Sequence, residues 1–271
     1  GRRHLSVILH LSDTHFGTEQ PAVTAALLQL ALEIRPDIAI LSGDVTQRAR
    51  HGQFADARRF VDALAAPVKL VIPGNHDIPL FNLFARVFNP YGHYRRAFGH
   101  ELEPQFSDQD LLVIGLNTTR PWRHADGEVS AQQIERVSLQ LQRALPGQLR
   151  IVVVHQPVFV ERESDKENLL HGHQQAIKAW AAAGADLILS GHIHLAYVRN
   201  LASHFDSLAR PVWTISAGTA ISRRIREGKP NSVNLIRYDA AQPNVCQAER
   251  LDFDATSSRF IVAETKLLEL S

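Results

Sequence analysis

The chain has 271 residues, 45% of them hydrophobic and 21% charged, with a formal net charge of +1. That length suffices for one large domain with its own core, and the near-neutral balance excludes a chain that holds nucleic acid or membrane through bulk charge alone. A single cysteine, Cys246, excludes an intrachain disulfide framework, fits a reducing, cytoplasmic setting and reads as a small packed residue.

The first apolar run, Leu5–Leu11, predicts a strand. It stops at Ser12-Asp13 and so does not read as a signal peptide, although Gly1 and the absence of methionine leave a removed leader open. Further strands are predicted at Asp37–Leu41, Pro67–Ile72, Leu111–Leu116, Arg150–Val154 and Asp186–Leu189. These runs are rich in Val, Ile and Leu, as strands buried on both faces are. Between them, helical spacing predicts Ala22–Arg35, Gln53–Leu64, Ala131–Leu145 and Gln174–Ala183. Pro21 and Pro36 bracket the first, and Ser130 is placed to cap the third. Alternation of strand and helix indicates an α/β fold. The last third has strand-like runs without intervening helices, at Val212–Ser216, Val233–Asp239, Val245–Phe253 and Phe260–Leu268. They are expected to form a second, more antiparallel sheet within one domain spanning 1–271. No run reaches the roughly 18–20 apolar residues of a membrane span, so no membrane partner is expected.

The chemistry follows the strand ends. Ser12-Asp13-Thr14-His15, Ser42-Gly43-Asp44, Pro73-Gly74-Asn75-His76-Asp77, His155 and Ser190-Gly191-His192-Ile193-His194 each follow the carboxyl end of a predicted strand. In open α/β sheets that edge is where ligands bind. Carboxylate, imidazole and amide oxygen without thiolate suit manganese, iron or zinc. The candidate ligands are Asp13, His15, Asp44, Asn75, His155, His192 and His194, more than one catalytic ion takes. Two ions about 3.5–4 Å apart, sharing a carboxylate, explain the count and form the clamp used for displacement at phosphorus. Gly43, Gly74 and Gly191 each precede a candidate ligand and are expected to turn the chain sharply or let backbone approach closely.

In this order the five blocks resemble the calcineurin-like metallophosphoesterases, over residues 5 to about 218. The resemblance implies a four-layer α/β/β/α sandwich with two mixed sheets and a dinuclear centre. One ion would bind Asp13, His15 and His194, the other Asn75, His155 and His192, with Asp44 between them. Asn75 and His76 would also contact substrate. His76 would stabilise the transition state or protonate the leaving oxygen, Asp77 would orient His76, and the nucleophile would be a metal-bound hydroxide. Gly74-Asn75-His76-Asp77, Gly115–Thr119 and Ser216–Ala220 followed by Arg223-Arg224 look closest to class III cyclic-nucleotide phosphodiesterases and related bacterial phosphodiesterases. Lipid A pathway pyrophosphohydrolases are also similar, but typically carry Arg where His76 stands.

The expected function is therefore hydrolysis of small phosphodiesters such as 3',5'-cyclic nucleotides. The alternatives are a phosphomonoesterase or a nucleotide-sugar or lipid pyrophosphohydrolase on the same centre, and lower still a DNA nuclease or an inactive scaffold. Nucleic acid is not expected as a partner on the charge balance. Arg223, Arg224, Arg226 and Lys229 form a basic loop read as a clamp on a phosphate. His171 and His173 lie away from the strand ends and read as solvent-facing or capping. His4, His51, His93, His100, His124 and His204 read as solvated, and His10 as a buried strand residue. The segment 78–109 is expected to cap the metals, with Tyr91, His93 or Tyr94 toward substrate, and its aromatics also offer an interface between copies of the chain.

Overall fold

The computed structural model describes residues 5–271, so His4 lies outside the described residues. Two six-stranded mixed sheets stack face to face, and helices cover both outer faces. The first sheet runs β12-β11-β10-β1-β2-β3, from β1 (Leu5–Leu11), β2 (Ile38–Leu41), β3 (Val68–Val71), β10 (Ser232–Asp239), β11 (Val245–Asp254) and β12 (Arg259–Glu269). The second runs β4-β5-β6-β7-β9-β8, from β4 (Gln105–Ser107), β5 (Leu111–Gly115), β6 (Leu149–Val153), β7 (Leu187–Ser190), β8 (Tyr197–Asn200) and β9 (Trp213–Ser216).

Side-chain alternation makes the four layers. Ile8, Ile38, Ile40 and Leu70 face inward, against Val113, Ile151, Val153 and Leu187 of the other sheet. Their neighbours Leu9, Leu11, Ala39 and Leu41 face outward, under α1 (Pro21–Ile34) and α2 (His51–Ala63). On the far side, Leu112, Ile114, Val152 and Ile188 pack under α5 (Ala131–Gln142) and α6 (His173–Ala183). Pro21 opens α1. Ser130 caps α5 as expected: its Oγ accepts from Gln133 N at 3.1 Å, and Gln133 Oε1 accepts from Ser130 N at 3.0 Å. Cys246 is buried between the sheets.

The late strands do not form a sheet of their own. β10 pairs antiparallel with β1 and extends the first sheet, whereas β9 pairs parallel with β7 in the second. Backbone partners lie far apart in sequence, and strand pattern alone does not name them. The segment after β3 carries two short helices, α3 (Leu83–Phe88) and α4 (Gly92–Phe98). Tyr91 and Tyr94 are buried rather than turned toward a ligand. Tyr91 Oη lies 2.7 Å from Thr119 Oγ1, and Tyr94 Oη donates to the Val71 carbonyl at 3.0 Å. His93 Nδ1 donates to the Ala49 carbonyl at 3.0 Å and so anchors α4 to the turn before α2.

Candidate metal centre

Each strand that ends at this edge turns at once into a loop. The first two loops are zipped together, with Asp13 N donating to Gly43 O and His15 N to Asp44 O, both at 3.0 Å. Thr219 Oγ1 donates to the Asp13 carbonyl at 2.7 Å and fixes the turn from the far side. Asp13, His15, Asp44, His192 and His194 all have positive φ, between 43° and 72°. A left-handed backbone costs a non-glycine residue roughly 1–2 kcal/mol. Five such residues in one cluster are held by surrounding structure, as strained residues at functional sites are.

The candidate ligands converge in overlapping groups. Asp13, His15 and His194 form one and Asp44, His155 and His192 another, with ligand atoms in each within 4.8 Å of one another, and His15, Asp44 and His76 form a third that overlaps these two. Asp44 faces both: Oδ1 lies 3.3 Å from His155 Nε2, and Oδ2 lies 3.6 Å from His15 Nε2. Asn75 Oδ1 lies 3.2 Å from His155 Nε2 and completes the second group. Backbone carbonyls orient two of the rings. His155 Nδ1 donates to Ser42 O at 2.7 Å and His194 Nδ1 to Arg224 O at 2.6 Å, which leaves each Nε2 lone pair facing inward.

The donor set fits metal ions. His15 Nε2 and His194 Nε2 lie 3.0 Å apart. Asp13 Oδ1 and His192 Nδ1 are buried without a hydrogen-bond partner among the described residues. Buried lone pairs that converge without donors call for a cation. The electrostatics agree. Burial would raise the Asp44 carboxyl, but His155, His76 and His15 outweigh it and hold it well below the usual range. Asp13 is likewise held low against its burial by His15 and His194. Burial lowers His15 to about 4, and burial with the His155 charge lowers His192 to about 4. His155 moves the other way, to about 9, because the Asp44 carboxylate overcomes its burial. The proton-accepting sites are thus tied to one another through two deeply buried carboxylates.

Of the three glycines, only Gly43 uses a positive φ, at +98°. Gly74 and Gly191 are required by space. A Cβ on Gly74 would lie 2.2 Å from Asp44 N, and one on Gly191 would lie 2.3 Å from Asp13 Oδ2.

His76 stands over the groups, its ring centroid 4.8 Å from that of His15. Asp77 does not orient it. The Asp77 carboxylate accepts from Gly74 N, Val45 N, Thr46 N and Thr46 Oγ1 at 2.8–3.0 Å and so ties two loops together. Burial and the Asp44 charge, against those hydrogen bonds, push Asp77 up to about 6. The His76 ring is instead oriented by a backbone carbonyl, with Nδ1 donating to Gln47 O at 2.9 Å.

The basic loop divides. Arg224 Nη1 lies 3.2 Å from His76 Nε2 and from His15 Nδ1. Arg223 is exposed and does not line the cleft, and Arg226 pairs with Asp165 at 2.8 Å. The cleft above the groups is about 530 Å³ and is lined by Asn75, His76, Asn168, His192 and Arg224, among others. Asn168 carried no sequence signal, yet its Oδ1 lies 3.2 Å from His192 Nε2. His124, read as a solvated residue, lines this cleft. His51, read as solvated, is exposed at the first position of α2. His171 and His173 belong to neither group. His171 Nε2 is 3.5 Å from Asp126, and His173 Nδ1 donates to Leu170 O at 2.8 Å. His10 is buried, and burial lowers it to about 3.

Comparisons with known proteins bear on the family and the fold. The sequence model of the family described as Calcineurin-like phosphoesterase matches residues 6–196. A probable cyclic nucleotide phosphodiesterase of Rhodococcus erythropolis is 27% identical, over 97% of this chain and 92% of that protein. A probable glycerophosphodiester phosphodiesterase GpdQ of Arcobacter nitrofigilis is 25% identical, over 69% and 71%. Among solved structures, the purple acid phosphatase PPD1 of yellow lupin superposes with a TM-score of 0.73 at 12% identity, over 99% of this chain and 54% of that one. Vps29 of Cryptosporidium parvum follows at 0.52 and 11%, over 98% of each chain. These likenesses concern the fold alone. With the family's sequence match spanning most of the chain, the chain belongs to the calcineurin-like phosphoesterases and is a phosphoester hydrolase.

Proposed function

We propose that the protein is a dinuclear-metal phosphodiesterase acting on small phosphodiesters such as 3',5'-cyclic nucleotides. The observation that carries this reading is Asp44, whose two carboxylate oxygens face two separate ligand groups. Asp13, His15 and His194 would hold one ion, and Asn75, His155 and His192 the other. The ions, manganese, iron or zinc by donor chemistry, would supply charge against the phosphoryl oxygens and lower the pKa of the attacking water.

The chain's own residues do the rest. Arg224 offers a guanidinium to an anionic phosphate beside His76. With Nδ1 committed to the Gln47 carbonyl, His76 presents Nε2 to the cleft, and donates a proton there when both nitrogens carry one. Ile78, Leu80 and Arg86 of the segment 78–109 border His76, which supports a role for that segment in substrate choice. The relatives named as phosphodiesterases support the diester preference. The single buried Cys246 supports a cytoplasmic setting.

The test is hydrolysis of bis-p-nitrophenyl phosphate, p-nitrophenyl phosphate, cyclic AMP and single-stranded DNA by the manganese-loaded protein. Diester and cyclic nucleotide turnover should dominate, with His76→Ala lowering kcat by about 10²–10⁴-fold and Asn75→Ala weakening the second ion. A preference for the monoester or for DNA would replace the reading. No turnover with metal demonstrably bound would make the chain a scaffold.

A further inference from the structure

The helix α3 is inverted relative to what a water-facing surface requires. Leu83 and Val87 form one i,i+4 ridge and Phe84 and Phe88 a second beside it, and these four with Phe81 and Trp122 are 69–79% exposed. The inner side of the helix carries Ala85 and Arg86, and Arg86 Nη2 donates to the Arg123 carbonyl at 2.8 Å, tying the helix to the Trp122 loop. Arg48 lies over the Phe81 ring at 5.6 Å. Exposed large apolar side chains are ordinary when scattered, but a contiguous set of this kind marks a contact surface.

The charge around this patch selects the partner. The three segments that build it, 45–55, 78–100 and 117–125, contain Arg48, Arg50, Arg86, Arg95, Arg96, Arg120 and Arg123 and no Asp or Glu, with Asp56, Glu101 and Asp126 just outside them. Arg123 is paired with Glu128 at 2.9 Å, whereas Arg48, Arg50, Arg95 and Arg96 form no ion pair with a carboxylate among the described residues. In a chain with 29 basic and 28 acidic residues, that is a local segregation which the whole-chain balance conceals. Arg48, Arg50, Arg95 and Arg96 are exposed. A second copy of the chain docked two-fold on this face would oppose its arginines to themselves. A lipid surface with anionic headgroups accepts both parts, the apolar ridges into the acyl boundary and the guanidinium groups onto the headgroup charge.

We propose that α3 and Trp122 form a docking surface for an anionic lipid bilayer, beside the mouth of the cleft. Trp122 reports it directly, because Trp180 and Trp213 are 0% and 8% exposed and already shielded from water. The experiment is vesicle flotation and tryptophan emission with the full chain. Equimolar phosphatidylglycerol and phosphatidylcholine vesicles are compared with phosphatidylcholine alone. Binding with a blue shift is expected on the anionic vesicles only, weakening as salt rises. Phe84→Ser with Phe88→Ser lowers partitioning by about tenfold or more. Trp122→Phe keeps binding and loses the shift, and Arg48→Gln with Arg95→Gln and Arg96→Gln flattens the salt dependence. Because both wild-type arms need no substitution, a misfolded variant does not decide the result. No binding to anionic vesicles, equal binding to neutral ones, or a concentration-dependent dimer removed by the Phe84→Ser, Phe88→Ser pair would each overturn the proposal. So would tight binding of a single-stranded oligonucleotide in place of vesicles. Docking requires no turnover, so its failure leaves the hydrolase reading standing.

Discussion

Arg223 and Arg224 differ by one position and by their whole surroundings. Arg224 projects into the cleft, 3.2 Å from both the His76 and His15 rings, while Arg223 is exposed and takes its structural role through its backbone N–H on Thr18 O. Removing a charge-assisted contact to a phosphate costs about 1.5–3 kcal/mol, so Arg224→Gln should raise KM for bis-p-nitrophenyl phosphate by roughly tenfold or more. Arg223→Gln should leave KM within about twofold. Steady-state kinetics on both variants check this, and equal effects would remove the distinction. The sequence marks both arginines as candidates because a basic loop is a local signal. Which of two successive residues on a turn points inward depends on backbone the pattern does not reveal. Gln47 and Asn168 were invisible for a related reason. Their partners, His76 and His192, lie 29 and 24 positions away, and neither sits in a motif. Asp77 shows the converse: adjacency to His76 suggests that it orients the ring, yet its short side chain is spent on four donors of the loops beneath.

At the scale of elements, the loops at the ligand edge are pinned to one another, Asp13 N to Gly43 O and His15 N to Asp44 O, both at 3.0 Å. Gly74 sits where the β3 loop crosses the Asp44 loop, and a Cβ there would meet backbone, which does not rotate away. Gly74→Ala should therefore lower stability by about 1–3 kcal/mol and weaken metal binding. Gly52 meets nothing within 4 Å and lies in α2, so Gly52→Ala should stabilise by roughly 0.5–1 kcal/mol. Urea denaturation of both variants measures the contrast, and a neutral Gly74→Ala would show that the loops yield. The strands β1, β2, β3, β5, β6 and β7 were legible because each is an apolar run that stops at a polar turn. Sheet membership in the last third was not, since β9 and β10 resemble each other in pattern and part company only through partners elsewhere in the chain. For the segment 78–109 the sequence offered its aromatics as a cap or an interface without saying which are exposed: Tyr91 and Tyr94 turn out buried, while Phe81, Phe84 and Phe88 are left uncovered by the neighbouring elements.

The whole molecule has two sheets whose inner faces meet mainly through apolar side chains, joined by a few polar bridges such as Asn234 Nδ2 to Ser216 O at 3.2 Å and Trp213 Nε1 to Glu269 O at 2.8 Å, and the ligand groups lie across their common edge. Asp13, His15, Asp44 and Asn75 come from loops of the first sheet, and His155, His192 and His194 from loops of the second. The Asp13, His15, His194 group and the Asp44, His155, His192 group each contain residues from both sheets, so an ion in either would cross-link the halves of the sandwich. It would also neutralise two buried carboxylates and satisfy lone pairs that otherwise lack donors. An ion bound by the folded state alone, present at a thousand times its Kd, stabilises by about 4 kcal/mol. For a chain of this size that corresponds to a rise in Tm of roughly 10 °C. Manganese or zinc should therefore raise Tm well above that of chelator-treated protein, and Asp44→Asn should lose most of the rise because both groups lose their shared carboxylate. Calorimetry with metal content measured in parallel checks this. An unchanged Tm with two ions bound per chain would mean that the sheets are already locked by their apolar interface, and that the centre serves chemistry without bracing the fold.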